Sequence, residues 1–178
     1  MREDYLGDSY DFVKRFWCES LGSIAPLYAH PEFVPEKFRD KYTKTTSIPI
    51  LDLAVVPNRP FGILIDPDTG IPLPTDGVDG ATASHASLPF MVQLIQNLRP
   101  HYIICFDQSY HRSRKLGRKG QLKKKTRFLR DKGIRSFYYV SQAPFLFMAE
   151  KSDVLRDIWD RLTSLGIPAN RFERGDIA

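Results

Sequence analysis

Apolar and polar residues follow two different spacings along this chain. Apolar runs at 61–66 and 101–106 are typical of strands that are buried on both faces, and a third strand is predicted over 134–140. Helical spacing of apolar residues predicts helices over 9–21, 88–98, 121–132 and 152–165, with Gly22, Gly133 and Gly166 at their ends. Weaker patterns predict strands that end at residue 8 and cover 48–56 and 167–173, and a short helix over 36–43.

The order of these elements predicts the fold class. Strands alternate with helices from one end of the chain to the other, and 178 residues suffice for one domain rather than two. No repeat, linker or low-complexity stretch divides the chain. We therefore expect a single α/β domain over 1–178, a three-layer α/β/α sandwich around a mostly parallel, Rossmann-like sheet.

Polar residues stand directly after four of the predicted strands: Asp8, Asp66, Asp107 and Ser141. Ligands bind beyond the carboxyl ends of parallel strands, where these side chains would meet. Three carboxylates in one place repel one another unless a cation neutralises them, and Mg²⁺ or Mn²⁺ suits an all-oxygen site. This predicts a metal site formed by the three aspartates; the alternative is that each one only turns the chain or caps a helix.

The loop after the strand at 101–106 concentrates chemically active residues. An acid, an amide, two hydroxyls, an imidazole and a guanidinium follow one another there, and His111 could act as an acid or base near neutral pH. The predicted catalytic residues are Asp107, His111 and Asp66, with supporting roles for Gln108, Ser109, Ser141 and Gln142.

Charge is distributed unevenly. The net charge is +5, yet ten basic and no acidic residues lie between Gln108 and Arg130, which leaves 16 of the 26 basic residues against 21 acidic ones elsewhere. Such a segment attracts a phosphate backbone, although it could also be a solvated helix face. Residues 112–130 are therefore the predicted nucleic-acid interface, through Arg112, Arg114, Lys115, Arg118, Lys119, Lys123, Lys124 and Lys125.

Composition limits the remaining possibilities. No apolar run approaches the roughly 18 residues of a membrane span, so no membrane association is expected. Cys18 and Cys105 stand in apolar stretches, as reduced thiols do, which favours the cytoplasm. The aromatic residues Tyr138, Tyr139, Phe145 and Phe147 indicate core packing, with a base-stacking platform as the alternative. Phe145 and Phe147 could also form a protein-docking patch.

Residues 76–125 resemble the amino-terminal core of PIN-like and flap-type nucleases. The similarity consists of a helix leading into Arg99-Pro100-His101-Tyr102-Ile103, a strand ending in Phe106-Asp107, and a basic, lysine-rich helix. It implies clustered acids, here Asp8 and Asp107, that hold a divalent ion and activate water against a phosphodiester. The strand that ends at Ser141-Gln142 lacks the further acids of that family.

A second resemblance is to haloacid-dehalogenase phosphatases. Residues 63–70 look similar to their first motif with Thr69 and Gly70 exchanged, and Val140-Ser141 looks like their second. The resemblance implies Asp66 as nucleophile, Asp68 as acid/base and Lys123 as phosphate clamp, while the only acids after Ser141 at a suitable distance, Asp153, Asp157 and Asp160, lie on a predicted helix. A metal-dependent nuclease is the first hypothesis; a non-catalytic module that binds nucleic acid or protein, and a phosphatase, are the alternatives.

Overall fold

The computed structural model of the chain describes residues 6–77, 79–110 and 116–175. Within these ranges it contains five α-helices and six strands. The helices are α1 (Ser9–Leu21), α2 (Arg39–Thr46), α3 (Leu88–Leu98), α4 (Arg118–Asp131) and α5 (Ser152–Ser164). The strands are β1 (Leu27–Ala29), β2 (Gly62–Ile65), β3 (Tyr102–Phe106), β4 (Arg135–Tyr139), β5 (Phe145–Ala149) and β6 (Phe172–Arg174).

All six strands belong to one mixed sheet in the order β1-β2-β3-β5-β4-β6. The pairs β1–β2 and β2–β3 are parallel, whereas β3–β5, β5–β4 and β4–β6 are antiparallel. The prediction of an α/β domain is confirmed, but the prediction of a mostly parallel, Rossmann-like sheet is wrong. Because β5 runs antiparallel to both of its neighbours, β4 still points the same way as β1, β2 and β3.

The strand that makes the sheet mixed is β5, which is antiparallel to both β3 and β4. It lies between residues 140 and 152, where the sequence pattern predicts no element. Its residues Phe145–Ala149 are all buried, and residues 141–144 turn the chain back so that β5 forms a hairpin with β4. The hairpin inserts β5 between β3 and β4. Local apolar spacing identifies the apolar run but not its partner strands.

Two weakly predicted strands are absent from the described residues, which include only residues 6–8 of the strand predicted to end at residue 8. Residues 6–8 form a turn before α1, and residues 48–56 contribute only one bridge, between Ile50 and Ala29. The first strand in the described residues is β1, in a segment for which the sequence analysis predicts no element. Because β1 to β4 all point the same way, their carboxyl ends lie at one edge of the sheet, which we call the carboxyl edge.

Helices cover both faces of the sheet. Helices α1, α2 and α5 pack on one face around Trp17, and α3 and α4 pack on the other. Tyr138, Phe145 and Phe147 are fully buried, which confirms core packing for these three and contradicts a stacking platform or docking patch made from them. None of the helices in the described ranges is long and apolar enough to cross a membrane.

Candidate functional site

Asp66 and Asp107 follow the neighbouring parallel strands β2 and β3, but their side chains leave the sheet on opposite faces. The register pairs Ile65 with Cys105, so the two aspartates are offset by one residue, and successive side chains in a strand alternate between faces. Asp66 reaches α1 and Asp107 reaches α4, helices that pack on opposite faces. The predicted convergence of these acids is therefore wrong, because it considered strand ends and not the direction of the side chains.

On the α1 face, Asp66 is neutralised by a buried lysine. Lys14 Nζ lies 2.6 Å from Asp66 Oδ2 and 2.9 Å from Asp11 Oδ1. Burial lowers the pKa of Lys14, but the charges of Asp66 and Asp11 outweigh it, so the pKa is raised above its ordinary value. Burial raises the pKa of Asp66 against the opposing effect of Lys14. Two carboxylates beside one ammonium account for the direction at Lys14, and burial accounts for the direction at Asp66.

On the α4 face, Asp107 is the centre of a saturated hydrogen-bond network. Its Oδ2 accepts from Lys125 Nζ at 2.7 Å and from the Tyr138 hydroxyl at 2.8 Å. Its Oδ1 accepts from the backbone N–H of Ile71 at 3.0 Å and from the Ser109 hydroxyl at 2.5 Å. A buried carboxylate with this many donors is stabilised as a structural anion.

Gly70 allows this network to close. Its φ is +126°, and a Cβ built on it would lie 2.6 Å from Asp107 Oδ1 and 2.7 Å from Asp107 Cα. A side chain at position 70 would therefore displace the loop whose next residue, Ile71, donates to Asp107. The Thr-Gly pair that resembles a phosphatase motif is thus used here for close backbone approach.

The third predicted metal ligand, Asp8, caps a helix. Its Oδ1 accepts from the backbone N–H groups of Tyr10 and Asp11 at the start of α1. Across the described residues, no three His, Cys, Asp or Glu side chains are grouped so that they could hold a metal ion. Since Lys14 and Lys125 already neutralise Asp66 and Asp107, these residues do not fit a divalent ion, and the predicted Asp8–Asp66–Asp107 cluster is not formed.

The four predicted supporting residues line one cavity. Gln108, Ser109, Ser141 and Gln142 surround a cavity of about 370 Å³ at the carboxyl edge, together with Tyr110 and Arg118. Gln108 Nε2 donates to the Tyr10 hydroxyl at 2.7 Å and to the Gln142 carbonyl at 3.0 Å, and Arg118 donates to the Ser141 carbonyl at 3.1 Å. These bonds hold α1, α4 and the loop at 141–144 around the cavity.

The predicted basic residues on α4 separate into two groups. Arg118, Lys119, Lys123 and Lys124 are exposed, whereas Lys125 is 1% exposed and paired with Asp107. Lys125 is therefore not available to a phosphate, which corrects its assignment. The predicted residues His111, Arg112, Arg114 and Lys115 lie outside the described residues.

The exposed cations form a basic stripe along α4, made of Lys119, Lys123, Arg127 and Arg130. The first three follow at intervals of four residues, which places their side chains about 5–6 Å apart on one helix face. Lys119 lies 3.2 Å from Glu173, but Lys123 and Arg127 form no ion pair with any acid in the described part of the chain. Arg130 lies 3.6 Å from Asp131, so the uncompensated positive charge of the stripe is that of Lys123 and Arg127.

Sequence reasoning missed Lys14, Tyr10 and the hydroxyl of Tyr138. A signal for Lys14 was available, because Lys14, Trp17 and Leu21 share one face of α1 and Asp11 precedes Lys14 by three residues. A lysine on an apolar helix face requires a buried acid as its partner. The hydroxyl of Tyr138 gave no such signal, since its partner Asp107 is distant in sequence.

Comparison of the chain with protein-family models, with curated proteins and with solved structures finds no match. The resemblances to PIN-like nucleases and to haloacid-dehalogenase phosphatases therefore stay predictions.

Proposed function

We propose that this protein binds nucleic acid without cleaving it, through the basic stripe of α4 and the adjoining cavity at the carboxyl edge. The observation that carries this proposal is the uncompensated charge of Lys123 and Arg127, which lie four residues apart on one exposed face. Unpaired cations in a regular row favour a polymer with regularly spaced anions.

The distribution of charge supports a nucleic-acid ligand. The segment from 112 to 130 contains ten basic and no acidic residues, while the rest of the chain has an acidic balance. The net negative charge of the rest of the chain disfavours a phosphate backbone there and favours contact with this segment. The ligand would therefore be oriented along α4 rather than bound at random over the surface.

Hydrolysis is not part of the proposal. The two predicted catalytic acids each accept a hydrogen bond from a buried lysine, Asp66 from Lys14 and Asp107 from Lys125. Asp107, which lines the cavity, accepts from donors at both of its oxygens and is therefore already saturated. Asp66, the nucleophile of the phosphatase hypothesis, is paired with Lys14 and is not among the described residues that line the cavity.

The proposal is tested by fluorescence anisotropy with labelled 20-nucleotide RNA and DNA at several salt concentrations. The logarithm of affinity is expected to fall linearly with the logarithm of salt concentration, and Lys123→Glu/Arg127→Glu is expected to weaken binding about tenfold or more. Lys41→Glu/Lys44→Glu is the matched control, since it makes the same charge change on exposed residues of α2, on the other face of the sheet. Equal loss in both variants, or no salt-dependent binding, would refute the proposal.

A further inference from the structure

We infer that the bound nucleic acid is single-stranded, with unpaired bases in two adjoining cavities on either side of the loop at 141–144. This inference rests on the proposed function and specifies its ligand. It follows from the position, chemistry and charge of the two cavities.

The second cavity is larger and adjoins the first. It has a volume of about 590 Å³ and shares Ser141 and Gln142 with the cavity of about 370 Å³ described above. The two cavities therefore meet at one loop, and a chain passing over Gln142 could enter both.

The described lining of each cavity includes one guanidinium and at least one tyrosine. The first has Arg118 and Tyr110, and the second has Arg171 and Tyr139. An aromatic ring stacks on a base of any sequence, and a guanidinium pairs with the phosphate beside it. The repeated pair suits two nucleotides of one strand better than a single small ligand.

The accessible ring is that of Tyr110. This side chain is 41% exposed and makes no ring contact with another described residue. Tyr139 is held more firmly, because its ring packs against Trp17 and Phe172. We therefore expect one base to stack on the exposed ring of Tyr110 and a second base to pack against the fixed ring of Tyr139.

The electrostatics of both cavities favour an anionic ligand. No acidic residue is among the described residues that line the second cavity, and Asp107, the one acid lining the first, is neutralised by Lys125. Arg118 is the first residue of α4, and the basic stripe begins at the next residue, Lys119. A backbone lying along the stripe would thus continue past Arg118 into the cavities.

A duplex does not fit this arrangement. Its bases are stacked and paired, so their faces are unavailable to tyrosines inside a cavity, whereas a single strand can place them there. The stripe alone would bind either form through phosphates. We therefore expect the cavities to give single-stranded nucleic acid a higher affinity than duplex.

The test compares a 12-nucleotide single strand with a duplex of the same length in anisotropy titrations at one salt concentration. Tyr110→Ala is expected to weaken single-strand binding about fivefold or more and to leave duplex binding unchanged, and Tyr110→Phe, which keeps the ring, is expected to bind like the parent. Phe12→Ala is the matched control, because Phe12 is 63% exposed and lines neither cavity.

The outcomes separate this inference from the proposed function. Equal affinity for single strand and duplex, or unchanged single-strand binding by folded Tyr110→Ala, overturns the inference. If Lys123→Glu/Arg127→Glu still weakens binding in that case, the proposed function stands without it. Absence of binding to either ligand removes both.

Discussion

Lys125 Nζ lies 2.7 Å from Asp107 Oδ2, and both side chains are 1% exposed. The Tyr138 hydroxyl donates to the same carboxylate oxygen at 2.8 Å, so α4, β4 and the end of β3 meet at one buried anion. Because a buried charge is tolerated only when it is paired and hydrogen-bonded, this contact fixes the inward face of α4. The basic stripe is thereby held on the outward face.

The first prediction concerns the coupling of this pair. Asp107→Asn and Lys125→Met should each lower the free energy of unfolding by about 3–5 kcal/mol, because each leaves an unpaired buried group. The double variant should lose clearly less than the sum of the two, as measured by urea denaturation.

The exposed pair of Arg15 and Glu19, 2.8 Å apart on α1, is the control for this cycle. Arg15→Met and Glu19→Gln should change stability by no more than about 0.5 kcal/mol, because water screens exposed charges. Additive losses at Asp107 and Lys125 would show that the pair is not coupled.

The second prediction is a loss of stability in alkali. Burial raises the pKa of Tyr42, Tyr102 and Tyr138 above the ordinary value near 10, and for Tyr138 the charge of Asp107 adds to the effect. The unfolded chain releases these protons near pH 10 while the folded chain retains them, so stability is full below pH 10 and falls above it. Lys14, with its raised pKa, acts in the same direction.

The measurement is absorbance at 295 nm, which reports tyrosine ionisation, recorded together with far-ultraviolet circular dichroism from pH 8 to 12.5. A group of tyrosines should ionise only as the helical signal is lost. Complete tyrosine ionisation in a protein with an unchanged circular dichroism spectrum would contradict the burial described here.

The third prediction concerns His30 in acid. Burial lowers its pKa from 6.5 to about 4, and its Nδ1 accepts from the backbone N–H of Glu32 at 3.3 Å, which requires a neutral ring. The unfolded chain binds this proton near pH 6.5 and the folded chain only near pH 4. The contribution of His30 is therefore complete above pH 6.5 and is lost as the pH falls toward 4.

Urea midpoints measured between pH 7.5 and 4.5 should fall less steeply for His30→Gln than for the parent. His101→Gln serves as the comparison, since His101 lies just before β3 and is only partly buried. Parallel curves for the parent and His30→Gln would refute the assigned role.

The fourth prediction concerns metal ions. Millimolar Mg²⁺ or Mn²⁺, or removal of metal with EDTA, should leave the melting temperature unchanged, because Asp66 and Asp107 are already neutralised by lysines. A ligand that binds the folded state would raise the melting temperature. A rise with Mg²⁺ that Asp107→Asn abolishes would instead support the predicted metal site.

Local patterns in the sequence were sufficient to predict most of the helices and the central strands. The predicted helices at 9–21 and 88–98 match α1 and α3, and the apolar runs became β2, β3 and β4. These features depend on capping and on apolar spacing, which act within a few residues. The basic segment and the four polar residues of the first cavity were found in the same way.

Tertiary structure decided what local patterns could not. Lys123, Lys124 and Lys125 are chemically identical neighbours, yet only Lys125 is buried. Each residue advances about 100° around a helix, so the three side chains point in different directions, and only that of Lys125 reaches Asp107. Likewise, the one-residue offset between Asp66 and Asp107 separates two acids that strand ends alone would bring together. Helical spacing and strand composition are properties of adjacent residues. The side chain that neutralises a buried charge comes from a distant part of the chain, and the two meet only when the elements pack.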